Sequence, residues 1–130
     1  MPNVVQFAID CERFGAQGIT VHPRPDERHI TTQDTYDLAK VVKSEYNIEG
    51  YPDSRYLTLI SDIRPAQATL VPDGPDVLTS NAGWNSERHQ SFLSETLQEI
   101  ASQGVRTSLF IEPNKHWIEL AKKAGADREF

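Results

Sequence analysis

Apolar and polar positions along this chain follow two alternating periods. Long stretches repeat their apolar residues every three to four positions, which is typical of helices packed on one face. Between them lie short runs rich in apolar and β-branched side chains, which indicate strands. The helical period predicts five helices, over residues 2–15, 31–46, 53–63, 87–104 and 114–125. The short runs predict four strands, over residues 19–22, 47–52, 67–72 and 106–113.

Start and stop residues support these helices. Pro2 and Asn3 precede the first helix and Gly15 follows it, as expected at helix ends. Thr31 and Asp34 have the spacing of a capping box at the start of the second helix. The fourth helix has the clearest apolar stripe, whose residues are predicted to face inward: Phe92, Leu93, Leu97, Ile100 and Ala101.

The predicted element order is α-β-α-β-α-β-α-β-α, without a linker or a shift in composition. We therefore expect a single α/β domain over residues 1–130. The strands show no regular polar alternation, which favours a parallel sheet with right-handed crossovers. Two architectures fit: an open doubly wound sheet, or about half of a (β/α)8 TIM barrel, which needs eight such units. Because no GxGxxG motif follows a strand, nucleotide binding of that type has no support.

Composition narrows the classes of function. The chain is 38% hydrophobic and 25% charged, which predicts an ordered domain. Its net charge of −6 and the lack of a Lys/Arg-rich stretch argue against nucleic acid as a partner. Cys11 is the one cysteine, so an internal disulfide is excluded and a reducing cytoplasm is favoured. No apolar stretch approaches the length of a membrane span, and no signal-peptide pattern begins the chain.

Polar residues follow every predicted strand. In both architectures the carboxyl ends of the strands meet at one mouth, where active sites lie. These residues are His22 and Arg24 after the first strand, Glu49 in the second, Thr79 after the third and Glu112 at the end of the fourth. Each also has a simpler interpretation. A lone histidine often caps a strand end, Thr79 suits a turn, and Glu112 suits the start of the next helix.

Glu49 is the hardest of these residues to explain as a solvated group. Ile48 and Gly50 flank it in a short strand that is expected to be covered on both faces. If burial raises the pKa of Glu49, it and His22 could move protons near neutral pH. Arg24 and His29 could then hold a phosphate or carboxylate.

Other interpretations of the same residues stay open. Arg24 and Arg28 could instead pair on the surface with Asp26 and Glu27. A metal site has weaker support, because no HxH, HExxH or CxxC spacing occurs.

Six segments together resemble the pyridoxine 5′-phosphate synthase family of vitamin B6 biosynthesis. They are "GITVHPRPDERHI" (18–30), "NIEGYP" (47–52), "QATLVPD" (67–73), "LTSNAGW" (78–84), "GVRTSLFIEP" (104–113) and "AGAD" (124–127). They occur in the family's order and at compatible spacing, and they cover essentially the whole chain. The resemblance implies a (β/α)8 barrel without a metal or organic cofactor.

The resemblance also implies a reaction and roles for five residues. The reaction condenses 3-amino-2-oxopropyl phosphate with 1-deoxy-D-xylulose 5-phosphate to give pyridoxine 5′-phosphate, phosphate and water. By resemblance, His22 is an acid/base and Glu49 a second proton acceptor. Arg24, His29 and Thr79 would bind the sugar phosphate. Small phosphorylated substrates and self-association into a homo-oligomer are the implied partners.

The chain departs from the family pattern at both ends. The family's first strand, with its Asn, Asp and His, has no counterpart before Met1, and about half of the family's length has none after Phe130. The family's "GADRIE" appears as "GADREF", which shifts the frame by one residue, so that the family's glutamate cannot be placed on Glu129. These departures predict an internal fragment that is inactive alone.

Two further functions compete with the synthase. One is a non-catalytic partial barrel that binds a phosphorylated ligand, and the other is a purely structural role. A four-stranded half-barrel is also expected to leave two sheet edges open and to expose apolar inward faces, which predicts self-association. The residues expected on these inward faces are Ile19, Val21, Ile48, Leu70, Val71, Leu109 and Phe110.

Overall fold

Helices and strands alternate along the chain. The structure is a computed structural model that describes residues 3–24, 27, 30–71, 86–109 and 128–129. The helices are α1 (Val4–Arg13), α2 (Thr32–Val41), α3 (Ser54–Ile63) and α4 (Ser86–Ala101). The strands are β1 (Gly18–Val21), β2 (Glu45–Gly50), β3 (Gln67–Leu70), β4 (Arg106–Leu109) and β5 (Arg128–Glu129). The helix predicted over 114–125 lies outside the described residues.

The strands form one parallel sheet in the order β1-β2-β3-β4-β5. Each strand therefore pairs with the next one along the chain, and right-handed crossovers place α2, α3 and α4 on the same side of the sheet. A doubly wound sheet would instead reverse its strand order at a switch point. The α/β fold is thus consistent with half of a (β/α)8 barrel. The four predicted strands are confirmed, whereas β5 was not predicted because its two charged residues give no apolar run.

Side-chain caps begin three of the helices. The side chain of Asn3 accepts a hydrogen bond from the N–H of Gln6, and that of Asp53 accepts one from the N–H of Tyr56. The predicted capping box of α2 is confirmed, with the Thr31 hydroxyl and the Asp34 carboxylate each accepting the other residue's N–H at 3.0 Å. These caps satisfy N–H groups that have no partner inside the helix.

The predicted second helix is too long. α2 ends at Val41, and Val42 already has extended backbone with ψ of 122°. The N–H groups of Lys43 and Ser44 then donate to the Glu12 carboxylate of α1 at 2.8 and 2.6 Å. This contact between distant parts of the chain overrides the helical period and directs the backbone into β2.

One hydrophobic core joins the sheet to its helices. Side chains alternate along each strand, and the apolar ones pack against α2, α3 and α4. The buried apolar strand residues are Val21, Tyr46, Ile48, Ala68, Leu70 and Leu109. The buried apolar helix residues include Leu38, Tyr56, Leu59, Ile60, Leu93, Leu97 and Ile100. The expectation that Val21, Ile48, Leu70 and Leu109 would lack partners is therefore wrong. Ile19 and Val71 are half-buried, and Phe110 lies outside the described residues.

The predicted inward face of α4 is partly wrong. Leu93, Leu97 and Ile100 are buried as expected, but Phe92 is 39% exposed and Ala101 is also exposed. Thr96 is buried in the same stripe, and its hydroxyl donates to the Phe92 carbonyl at 2.9 Å. A hydroxyl satisfied within its own helix can be buried at low cost, which the apolar pattern alone does not reveal.

Two expectations drawn from composition have structural counterparts. Cys11 is a free cysteine and is half-buried in α1. In the part of the chain that the structure describes, no helix is long and apolar enough to cross a membrane.

Candidate active site

The face of the sheet opposite the helices is polar. Its side chains come from alternate strand positions: Thr20, Glu45, Asn47, Glu49, Gln67, Thr69, Arg106 and Ser108. The prediction that the strands lack polar alternation is therefore wrong. It failed because threonine, asparagine and glutamine side chains can satisfy one another across strands, so that a sheet face can be polar and still partly buried.

Hydrogen bonds join these side chains into a ladder across four strands. Asn47 lies at its centre, donating to the Thr20 hydroxyl at 3.4 Å and accepting from the Thr69 hydroxyl at 2.9 Å. Gln67 donates to the Thr69 hydroxyl at 3.3 Å and accepts from Arg106 Nε at 2.7 Å. We call this set, with Glu45 beyond Arg106, the polar ladder. It holds the four strands in register beneath the candidate site.

His22 and Glu49 lie level with each other at the carboxyl end of the sheet. β1 ends at Val21, which is in register with Ile48, so that the next residues of the two strands are His22 and Glu49. Both are half-buried. Glu49 is in register with Thr69 on β3. The structure thus places the two residues predicted to transfer protons at the carboxyl ends of neighbouring strands.

Burial raises the pKa of Glu49 above its usual value. Removing a carboxylate from water without a compensating charge favours its neutral form. The neighbouring Tyr56 responds in the same direction, since burial and the charge of Glu49 both raise the pKa of its hydroxyl. A carboxyl group with a raised pKa can accept and return a proton near neutral pH.

The end of β2 is shaped by a close approach to α3. Tyr56 is buried and donates from its hydroxyl to the Ile48 carbonyl at 2.8 Å. A Cβ on Gly50 would lie 2.4 Å from Tyr56 Cδ2, so that only glycine fits beneath the ring. The backbone on both sides of Glu49 is therefore fixed by one tyrosine.

The loop after β1 is anchored by Arg55, a residue that sequence reasoning missed. Its Nη2 donates to the carbonyl of buried Pro23 at 2.6 Å, and its Nη1 donates to the Thr32 hydroxyl at 3.4 Å. Pro23 lies between His22 and Arg24, so that this contact positions the backbone of both. No local signal could have found it, because Arg55 is 32 residues away from Pro23.

Glu27 closes the same loop from the other side. Its N–H donates to the Arg24 carbonyl at 2.9 Å, and its carboxylate accepts the Thr32 N–H at 2.9 Å at the start of α2. Glu27 has a positive φ of 52°, which few residues adopt without support. Its carboxylate therefore supports the turn and the helix start.

Two predicted sugar-phosphate ligands, His29 and Thr79, lie outside the described residues, as does Glu112. Arg24 is described and half-buried. Glu129 is in register with Leu109, and Arg128 is in register with Ser108. Among the described residues, no group of three or more His, Cys, Asp or Glu side chains could hold a metal ion.

A surface pocket lies elsewhere in the structure, between the carboxyl ends of α1 and α2. Glu12, Arg13, Lys40 and Lys43 contribute its charged side chains. Neither His22, Arg24 nor Glu49 lines it. The pocket is therefore separate from the candidate site.

Comparison with known proteins assigns the chain to a family. The family model described as "Pyridoxal phosphate biosynthesis protein PdxJ" matches residues 1–129. The chain belongs to the PdxJ family. Among PdxJ relatives, the pyridoxine 5′-phosphate synthase of Cytophaga hutchinsonii is 54% identical over 127 residues, which cover 98% of this chain and 53% of that protein.

Other PdxJ relatives give the same result. The pyridoxine 5′-phosphate synthase of Porphyromonas gingivalis is 56% identical over 128 residues, covering 98% of this chain and 54% of that protein. That of Bacteroides fragilis is 54% identical over 128 residues with the same coverage. The chain thus spans about half the length of the curated relatives it matches, and the expected resemblance is confirmed.

Proposed function

We propose that this PdxJ-family chain supplies the acid/base half of a pyridoxine 5′-phosphate synthase active site. The reaction would condense 3-amino-2-oxopropyl phosphate with 1-deoxy-D-xylulose 5-phosphate, releasing phosphate and water. The observation that carries the proposal is the half-buried Glu49 carboxylate, whose pKa is raised by burial. It follows Ile48 directly, as His22 follows Val21, the register partner of Ile48.

In this proposal His22 and Glu49 share the proton transfers. Ring formation requires protons to be removed from carbon and returned to leaving oxygens, which suits an imidazole beside a carboxyl group whose pKa is raised by burial. Burial raises the pKa of Glu49, and an imidazole side chain can both accept and donate a proton. The chemistry needs no metal or organic cofactor.

Arg24 would hold the phosphate of the sugar substrate, assisted by His29 and Thr79. The guanidinium of Arg24 presents paired donors that match phosphate oxygens. The Pro23 carbonyl accepts from Arg55 and the Arg24 carbonyl accepts from the Glu27 N–H, so the backbone at Arg24 is already held before binding.

The proposal extends to the setting of the protein. A single free cysteine suits a reducing cytoplasm. We also expect the working assembly to be a homo-oligomer, as the resemblance to the family implies.

A chimera tests the proposed chemistry. In the Cytophaga hutchinsonii synthase, the segment that matches this chain would be replaced by this chain, and pyridoxine 5′-phosphate formation would be measured from both substrates. We expect an active chimera. Glu49→Gln should lower its turnover by roughly 10²–10⁴-fold, the usual loss when a general base is removed, with sugar-phosphate affinity nearly kept.

Arg24→Lys in the same chimera provides the matched binding variant. Lysine keeps the charge but loses the planar guanidinium fork. Calorimetry should therefore show a larger loss of affinity, relative to the parent, for 1-deoxy-D-xylulose 5-phosphate than for 3-amino-2-oxopropyl phosphate. Turnover unchanged by Glu49→Gln would refute the assignment of Glu49. An inactive chimera that still binds the sugar phosphate would favour the non-catalytic binding module.

A further inference from the structure

Ser108 lies in the same row of the sheet as Glu49. Glu49 is in register with Thr69, and Thr69 is in register with Ser108 on β4. Residues in register on parallel strands share a face, so Ser108 lies on the polar face. Two strand spacings of about 4.8 Å separate Ser108 from Glu49, which places their backbones roughly 10 Å apart.

The Ser108 hydroxyl has no hydrogen-bond partner among the described residues. Its Oγ is buried, and the residue is 0% exposed. The side chains of Asn47, Gln67 and Thr69 on the same face are all bonded within the polar ladder. Buried hydroxyl groups are normally hydrogen-bonded, so Ser108 calls for a partner beyond the described residues.

We propose that the Ser108 hydroxyl hydrogen-bonds a hydroxyl or carbonyl oxygen of the sugar phosphate bound against Glu49. The proposal rests on the function proposed above and adds a contact to the same site. Arg24 follows β1 and would hold the phosphate on that side of the sheet. The carbon chain, extended past Glu49, would then carry its oxygens toward β4.

The chemistry of Ser108 suits an oxygen of the carbon chain better than a phosphate. A hydroxyl both donates and accepts one strong hydrogen bond, which matches a neutral carbonyl or hydroxyl group. A phosphate dianion is instead held by cationic side chains or by several N–H donors. The Arg24 guanidinium would already supply such a cation. Ser108 would therefore recognise the sugar and leave phosphate binding to the loop after β1.

Ser108→Ala in the active chimera tests this proposal. We expect the KM for 1-deoxy-D-xylulose 5-phosphate to rise about 3- to 10-fold, as for loss of one neutral hydrogen bond. The thermal unfolding midpoint of the variant should stay unchanged or rise, because an unsatisfied hydroxyl has been removed. Ser108→Cys, which keeps the shape but donates weakly, should show the same rise in KM.

Ser44→Ala is the matched control. The Ser44 hydroxyl bonds the Glu12 carboxylate at the opposite end of the sheet, so its loss should lower the unfolding midpoint and leave KM unchanged. An unchanged KM in Ser108→Ala, or a lowered midpoint with normal KM, would overturn the Ser108 contact alone. A parent chimera that binds and converts nothing would contradict the proposed function, and the contact with it.

Discussion

At the scale of single residues, two glutamates show how surroundings set a carboxyl group's charge. Burial raises the pKa of Glu49. Hydrogen bonds from the hydroxyl and N–H of Ser44 lower the pKa of Glu12, with a smaller contribution from Lys43. The first group is poised to exchange protons, and the second is a fixed anion that joins α1 to β2. Both residues are glutamates, so residue type alone does not distinguish their roles.

Glu49→Gln should make this chain more stable at neutral pH. Because the folded-state pKa of Glu49 is raised, its protonated form stabilises the fold fully below the unfolded pKa of about 4.3, and this contribution is lost as pH rises through the folded pKa. Glutamine has no charge to bury. Thermal unfolding followed by circular dichroism should give the variant a higher midpoint than the parent at pH 7 and a smaller difference at pH 4.

Glu12→Gln serves as the opposite control. The lowered pKa of Glu12 means that its contribution is present above the unfolded pKa and is lost as pH falls through the folded pKa. The Glu12→Gln variant should therefore have a lower thermal unfolding midpoint than the parent at pH 7, and the difference should shrink in acid. A lower midpoint for Glu49→Gln at pH 7 would show that this carboxylate is stabilised by contacts rather than strained by burial.

At the scale of elements, sequence patterns correctly predicted the features that depend on residues close together in the chain. The capping box at Thr31 and Asp34 and the four strands were found because each depends on neighbouring residues. The end of α2 and the anchor of the His22 loop were missed because Glu12 and Arg55 act over about thirty residues.

The polar face of the sheet was missed for a related reason. Whether Thr69 faces a helix or another polar side chain depends on the register between strands, which no single strand reveals. His22, Arg24 and Glu49 could be named from the sequence, but their roles came from resemblance. His29 and Thr79 stay predictions.

The end of β2 offers a test at this scale. Gly50→Ala would place a methyl group 2.4 Å from the Tyr56 ring, so we expect urea unfolding to show a loss of about 1–3 kcal/mol, as for overpacking a core. Combining it with Tyr56→Leu should cost less than the sum of the two changes, because the obstructing ring is gone. Simple additivity would mean that the ring does not limit this position.

At the scale of the whole molecule, the sheet presents an edge rather than an apolar surface. The Gln17 carbonyl accepts from the Glu45 N–H of β2, so the backbone groups of Gln17, Ile19 and Val21 point toward β2. The backbone N–H of Thr20 therefore points away from β2, toward the open edge. The face that a complete barrel would enclose is polar. Association through exposed apolar strand residues, as the sequence suggested, is therefore not expected, whereas pairing through the edge of β1 is.

The isolated chain should accordingly self-associate and form no pyridoxine 5′-phosphate. Size-exclusion chromatography with light scattering should show dimers or larger species. Thr20→Pro removes an outward backbone donor and keeps the backbone bonds to β2, although it loses the side-chain bond from Asn47. It should shift the population toward monomer. A monodisperse parent monomer would contradict pairing through this edge. Product formed by the isolated chain would contradict its expected inactivity.

The ion pair between Arg106 and Glu45 in the polar ladder forms late in folding. Each strand of the sheet can be added once its predecessor is in place, since neighbours in the sheet are neighbours along the chain. Arg106 breaks this rule by reaching over β3 to both carboxylate oxygens of Glu45, 61 residues away, at 3.1 and 2.8 Å. That ion pair closes only after three strands have assembled. Its loss should therefore quicken unfolding while leaving the rate of folding almost untouched.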